Sequence, residues 1–307
     1  MRGRKKVEFI FAAVCVICTW YLIFTLFLGD TGEGRGHRSD WRYEADEQKD
    51  EEHTPDPAPP IPDVIPDPPK KVDSQEPSQP SLPDRVVVMA KLPEDDTSWV
   101  EADLQDWQSA IYDIDANIFH DDSIFDPLNN STTRILRNKG MEANAYLAYI
   151  VQNYHQLPST IAFVHPHKDG YPLAWHTDNA EHSNVLSLRA LNTDFIQRNG
   201  YANLRCIPDP GCPHEVMPFR DPPEEHRTIE AAMPSAWQEL FGNTDVPHIL
   251  ATPCCAQFAI SSKQVHMRPL EDYQKYYKWL MDTPLKDETS GRVFEYLWHI
   301  IFGQDPV

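Results

Sequence analysis

Apolar positions divide the chain into three regimes. From Phe9 to Leu28 they are almost continuous, broken only by Cys15, Cys18, Thr19 and Thr25. From Asp30 to about Asp84 they nearly vanish. From Arg85 to Val307 short apolar runs alternate with stretches of helical spacing, and this third regime is where a fold is encoded.

Within it, RVVVMA (Arg85–Ala90) is an unbroken β-branched run, as in a strand buried on both faces. After the polar loop Lys91–Ser98, the residues Trp99, Leu104, Trp107 and Ile111 predict an amphipathic helix. IYDID (Ile111–Asp115) predicts a second short strand. Over Asn138–Tyr154, Ala143, Tyr146, Leu147, Ile150, Val151 and Tyr154 recur at helical spacing, with Asn138 as cap and Pro158 as stop. TIAFV (Thr160–Val164) reads as another buried strand, and Ala202–Cys206 and Gln257–Ser261 as weaker ones. Pro269 opens a helix with Glu271 and Asp272 at the positive end of its dipole. Ser290 caps a last helix through Ile301, ended by Gly303. Strands and helices alternating in this order predict an α/β domain with a mainly parallel sheet.

The first two regimes predict topology. About 20 apolar residues are enough for a helix to cross a bilayer. Arg2, Arg4, Lys5 and Lys6 precede the run, while Asp30 and Glu33 follow it, so the basic end stays cytosolic and the long C-terminal part lies across the membrane. A cleaved signal peptide is the competing reading. It wants a shorter apolar core of about 7–15 residues and a small-x-small cleavage site, which does not follow here. The expectation is a single-pass type II membrane protein of the Golgi or another secretory-pathway membrane. It has a cytosolic tail (1–8), a signal-anchor helix (9–28), an acidic Pro-rich stalk (29–84) and a luminal domain (85–307). Eleven prolines between Pro55 and Pro83, interleaved with Asp, Glu, Ser and Gln, leave the stalk unable to bury a core. An extended, polyproline-like spacer follows.

The formal net charge of −20 is partly the stalk's, and it argues against nucleic acid as a partner. Four cysteines lie outside the apolar span: Cys206, Cys212, Cys254 and Cys255. They allow three connectivities. A bridge within the adjacent pair would be strained, so at least one bond from the Cys206–Cys212 segment is expected. Asn129 and Asn130 open overlapping glycosylation sequons that accept one glycan at most.

Ligands of open α/β sheets bind beyond the carboxyl ends of strands. Three groups fall there: Glu94, Asp95 and Asp96 after the first strand; Asp113 and Asp115 closing the second; and HPHKDG (His165–Gly170) after the third, with Trp175, His176 and Asp178 soon after. His165 and His167 can present neutral imidazoles to a metal; the plainer reading is one buried and one solvated histidine. Glu295 and His299, at i and i+4, suit general base work or metal binding. Their plainer reading is a hydrogen bond supporting an aromatic cluster.

RVVVMA, EDDTSW (Glu94–Trp99), YDID, NKGMEANAYLAYI (Asn138–Ile150), FVHPH (Phe163–His167), YANLRC (Tyr201–Cys206), GCP (Gly211–Pro213), CCAQFAIS (Cys254–Ser261) and SGRVFEYLWHIIFG (Ser290–Gly303) resemble an uncharacterised, mostly fungal domain-of-unknown-function family. The likeness covers nearly the whole folded domain, and the last two motifs are the most specific. More distantly, the order RVVVMA, IYDID, Asn138-Lys139-Gly140 with Ala143, and FVHPH resembles glycosyltransferases of the nucleotide-sugar (GT-A) fold. CCAQFAIS is similar to their acceptor-side segment, and the Glu295/His299 helix to the late segment that supplies a base or metal ligand. The anchor-and-stalk architecture also resembles that of Golgi glycosyltransferases.

This resemblance implies a luminal enzyme acting on secretory or cell-wall glycans, with a nucleotide sugar and a glycan acceptor as partners. Glu94, Asp95, Asp113, Asp115 and Asn138 would contact nucleotide, His165 and His167 a diphosphate or a divalent metal, and Glu295 and His299 would act as base or further ligand. His165-Pro166-His167 stands where the family has Asp-x-Asp. Magnesium and manganese prefer oxygen ligands, which leaves open a different metal, no metal, or an inactive domain. A non-catalytic glycan-binding or scaffold domain is the alternative, and a metal-dependent hydrolase a third reading.

Overall fold

The computed structural model describes residues 83–115 and 135–307. Its strands are β1 (Arg85–Lys91), β2 (Gln108–Asp115), β3 (Ile135–Arg137), β4 (Thr160–Phe163), β5 (Tyr201–Asn203) and β6 (Phe258–Ser261). They form one sheet of order β3-β2-β1-β4-β6-β5. β1 pairs in parallel with β2 and β4, and β2 with β3, whereas β6 runs antiparallel to both β4 and β5. The sheet is mainly parallel on the side where the candidate residues lie, as the alternation of elements predicts.

Period-two alternation along β1 builds two cores. Val86 and Val88 enter one apolar cluster and Val87 and Met89 the other, and all four are buried. Burying each such side chain is worth about 1.5–3 kcal/mol, so this strand is the spine of the domain. On the Val87 face lie α1 (Trp99–Asp103), and later α3 (Asn184–Arg189) and α4 (Thr193–Asn199), through Trp99, Val100, Val185, Leu188 and Ile196. The opposite face is covered by α2 (Glu142–Asn153) and α5 (Thr228–Phe241). It also carries α7 (Leu270–Asp282), α8 (Asp287–Glu295) and α9 (Trp298–Ile301), which follow the short α6 (Ser262–Val265).

Three expected elements differ. The helix read over Trp99–Ile111 ends at Asp103, because Leu104 leaves helical geometry (φ −124°, ψ 49°) and residues from Gln108 pair with β1. The Asn138 cap does not form: Gly140 (φ 69°) and Met141 (φ 55°) are both left-handed, so α2 cannot start before Glu142. The last helix starts at Asp287 rather than at a Ser290 cap and breaks after Glu295; Ser290 is fully buried inside α8. Strand β3 and helices α3 to α6 carry no strong sequence pattern, and α5 runs through an internal Pro234 that reads as a breaker.

Among the described residues no helix is long and apolar enough to cross a membrane. The predicted anchor (9–28), the stalk up to residue 82, and the sequons at Asn129 and Asn130 lie outside the described residues.

Candidate functional site

Chain threading opens a cleft at the carboxyl ends of the parallel strands. The β1-to-β2 connection passes through α1 on one face, and the β3-to-β4 connection through α2 on the other. The two crossovers diverge on either side of β1, the place where open α/β sheets hold ligands. A cavity of about 330 Å³ lies there. Lys91 and Leu92 line it from the end of β1, Ile114 from β2, Asn138, Met141 and Glu142 from the entry to α2, and His165 and His167 from the chain leaving β4. A second, acidic hollow of about 440 Å³ adjoins it, with Glu94, Asp96, Asp103, Asp169 and Leu173 in its wall. Asp95, Pro166 and His167 border both spaces.

Glu142 is the carboxylate with the most perturbed setting in the cavity wall. Burial pushes its pKa up from the usual carboxylate range to about 7, against the pull of its own backbone N–H. Its position is fixed by the turn before it. A Cβ added at Gly140 would fall 2.3 Å from Leu280 Cδ1, and one at Gly291 would fall 2.9 Å from Met141 Cγ and 3.0 Å from the Gly140 carbonyl. Helices α7 and α8 therefore press directly on the Gly140–Met141 turn, and small residues on both sides allow the approach.

The segment leaving β4 is held from three sides. The His165 N–H donates to Gln257 Oε1 at 2.8 Å, the Trp99 indole N–H to the Pro166 carbonyl at 2.9 Å, and the Asn184 amide to the His167 carbonyl at 2.8 Å. Glu295, the last residue of α8, accepts the Cys255 N–H at 2.7 Å, and Arg292 Nε lies 3.6 Å from its other oxygen. Cys255 (φ 85°) and Ala256 (φ 48°) are left-handed non-glycine residues, as is Met141. Strain of this kind, of order 1–3 kcal/mol each, concentrates where surrounding structure over-determines the backbone.

Electrostatic coupling joins these groups. The pKa of Glu295 is raised, first by burial and then by the charge of Glu142. That of His165 is lowered to about 4 by burial and by His167, with Glu295, the Cys255 backbone and Asp95 pulling the other way. Glu295 and the imidazole after β4 are thus linked through Cys255. His167 turns its Nδ1 toward Asp95 at 3.8 Å. The ring nearer His165 is that of His176, with centroids 4.5 Å apart; His167 and His176 are 6.3 Å apart.

Other sequence candidates fall differently. His299 does not join Glu295: the helix break puts it on α9, where its Nε2 faces the Pro306 carbonyl at 3.4 Å and burial lowers its pKa to about 4. Asn138 lines the cavity, while Glu94 lies exposed on the acidic hollow. Asp113 is exposed and pairs with Lys91 at 3.2 Å, and Asp115 is the last residue of β2. The sulfurs of Cys254 and Cys255 are bonded to each other, and Cys206 and Cys212 are free. Glu142 and Arg205 were not singled out by sequence reading. The only signal for Glu142 was its place two residues after Gly140 of the Asn138-Lys139-Gly140 turn.

Fold and cleft define an α/β domain with a ligand-sized cavity at its topological switch point. Residues 87–307 match DUF3431, a protein family of unknown function, and the chain belongs to that family. No curated protein and no solved structure matches the chain.

Proposed function

We propose that the domain is a glycosyltransferase-like enzyme that takes a nucleotide sugar in the cavity and a glycan hydroxyl from the acidic hollow beside it. The observation that supports this best is the meeting of Glu142, Asp95 and His165 at the switch point of the sheet. The threading from β1 through the acidic end of β2 and the Asn138 turn to FVHPH follows the element order of the nucleotide-sugar resemblance.

Asp95 is aimed by the Leu92 N–H at 2.8 Å and, with Asn138, can accept from the hydroxyl and amide edges of a nucleoside. Lys91 supplies a cation to the cavity wall for a diphosphate. Glu142 takes the proton of the acceptor hydroxyl as its oxygen bonds to the anomeric carbon and the bond to the diphosphate breaks. A base that titrates near 7 is matched to that task and contributes about 10²- to 10⁴-fold in rate. Glu295 is a positioning residue, fixing Cys255 beside His165. A divalent metal at the histidines would supply charge neutralisation for the leaving diphosphate.

The exposed Tyr171 (80 %), Leu173 (64 %) and Trp175 (40 %), of which Leu173 lines the hollow, favour one rival, a non-catalytic glycan-binding domain. Calorimetric titration of the detergent-solubilised full chain with a nucleotide-sugar panel separates the two. Binding of one nucleotide class supports the enzyme; glycan binding with no affinity for any nucleotide sugar favours the rival.

A further inference from the structure

Four buried nitrogens in this region have no hydrogen-bond partner: Nε2 of His165, Nε2 of His176, and Nε and Nη1 of Arg205. His176 is 3 % exposed, and the two rings are adjacent, tilted by 53° with centroids 4.5 Å apart. A buried polar atom without a partner costs about 1–3 kcal/mol, and a pair of them side by side calls for a group that answers both. A metal ion takes both lone pairs without a proton.

We infer that His165 and His176 bind one divalent transition-metal ion through their Nε2 atoms. The ring spacing is within reach of this: with N–metal lengths of about 2.0–2.1 Å, two imidazoles on one ion stand roughly 4.5 Å apart between centroids at a right-angled ligand pair and roughly 5.2 Å at a tetrahedral one. Imidazole ligands select zinc, cobalt, nickel, copper or iron over magnesium, which prefers oxygen. The charges around the pair are uneven: Glu295 and Asp95 favour a cation at His165, whereas Arg205, His167 and His182 oppose one at His176. Arg205 lies 4.0 Å from Asp178, and His167 is turned toward Asp95. One other group of ligand type gathers among the described residues: Cys254, Cys255 and Glu295, with donor atoms within 4.8 Å. Its two sulfurs belong to residues adjacent in sequence, and no imidazole belongs to it. Two imidazoles leave coordination positions open to water or to diphosphate oxygens; in that last respect the inference rests on the glycosyltransferase reading.

The test uses the full chain in detergent, stripped with a chelator and titrated with Co²⁺ and with Mg²⁺ in the absence of any nucleotide. One equivalent of Co²⁺ binds with a visible ligand-field spectrum, and Mg²⁺ does not compete. His165→Gln and His176→Gln each weaken Co²⁺ binding by about 100-fold or more, whereas His167→Gln stays within about threefold. His176→Cys, which keeps a ligand, retains binding and adds a sulfur charge-transfer band, and it decides the matter if a glutamine variant fails to fold. No Co²⁺ uptake by the unaltered chain, equal uptake by the His165→Gln/His176→Gln double variant, or loss of binding in His176→Cys overturns the site. Because no nucleotide is present, failure here is separate from failure of the nucleotide-sugar titration.

Discussion

The N–H of Cys255 donates to Oε1 of Glu295 at 2.7 Å, tying the turn before β6 to the end of α8. The bond crosses 40 residues of sequence and holds a left-handed, non-glycine backbone in place beside His165. Removing the acceptor therefore has a structural cost. Glu295→Ala leaves this N–H without its partner and lowers stability by about 1–3 kcal/mol. Glu295→Gln keeps an acceptor oxygen and stays within about 1 kcal/mol of the parent. Urea unfolding midpoints of the two variants read the difference.

Glu142 is held above the usual carboxylate range by burial, so its neutral form is favoured in the folded chain. The folded pKa lies above the unfolded one, and the stability this contributes is present at low pH and lost as pH rises through about 7. Glu142→Gln removes the charge, so above pH 7 the variant is at least as stable as the parent. Thermal midpoints at pH 6 and pH 8 check this: the parent loses stability relative to the variant at the higher pH.

At Gly140 the backbone is left-handed (φ 69°), and an added Cβ meets Leu280 at 2.3 Å. Gly140→Ala is expected to cost about 1–3 kcal/mol through backbone strain and displacement of α7. Because the turn carries Met141 and Glu142 into the cavity wall, nucleotide affinity falls alongside stability. Gly170 has a similar φ of 85° but open space around it, so Gly170→Ala bears the backbone strain alone and costs less. Denaturant unfolding of both variants gives the ranking.

His299 is 4 % exposed, and burial lowers its pKa to about 4. The unfolded chain binds a proton there below about pH 6.5, while the folded chain does not. Unfolding then takes up a proton, and stability present above pH 6.5 is lost as pH falls toward 4. Between pH 7 and pH 5 the group contributes about 2 kcal/mol of that loss. His299→Gln flattens the dependence by this amount in urea titrations at the two pH values.

Much of the scaffold was legible because buried parallel strands write themselves as unbroken apolar runs: Val86 to Met89, and Ile161 to Val164. Residues placed at their carboxyl ends by the same runs, Asp95, His165 and His167, line the cavity together with Asn138. What the sequence hid depends on backbone turns that no side-chain periodicity reports. Left-handed Met141 moves the start of α2 to Glu142 and brings that carboxylate to the cavity, leaving Asn138 outside the helix. The break after Glu295 sends His299 into the core beside Pro306, although the spacing of four residues suggested a shared face. His176 becomes the neighbour of His165 only because the chain between them folds back, with the Gly170 N–H on the Glu181 carbonyl at 3.2 Å.

Turnover of a nucleotide sugar in the cavity at the ends of β1, β2 and β4, with Glu142 as base, is a proposal that one measurement tests. Its most direct measurement is hydrolysis and transfer from a nucleotide-sugar panel by the full chain and by Glu142→Gln, side by side from pH 6 to pH 8. With Glu142 as base, at least one donor is expected to turn over, at a rate that rises through about pH 7 and falls by about 100-fold or more in the variant. Equal turnover by the variant, or a panel in which no donor is consumed, would contradict it.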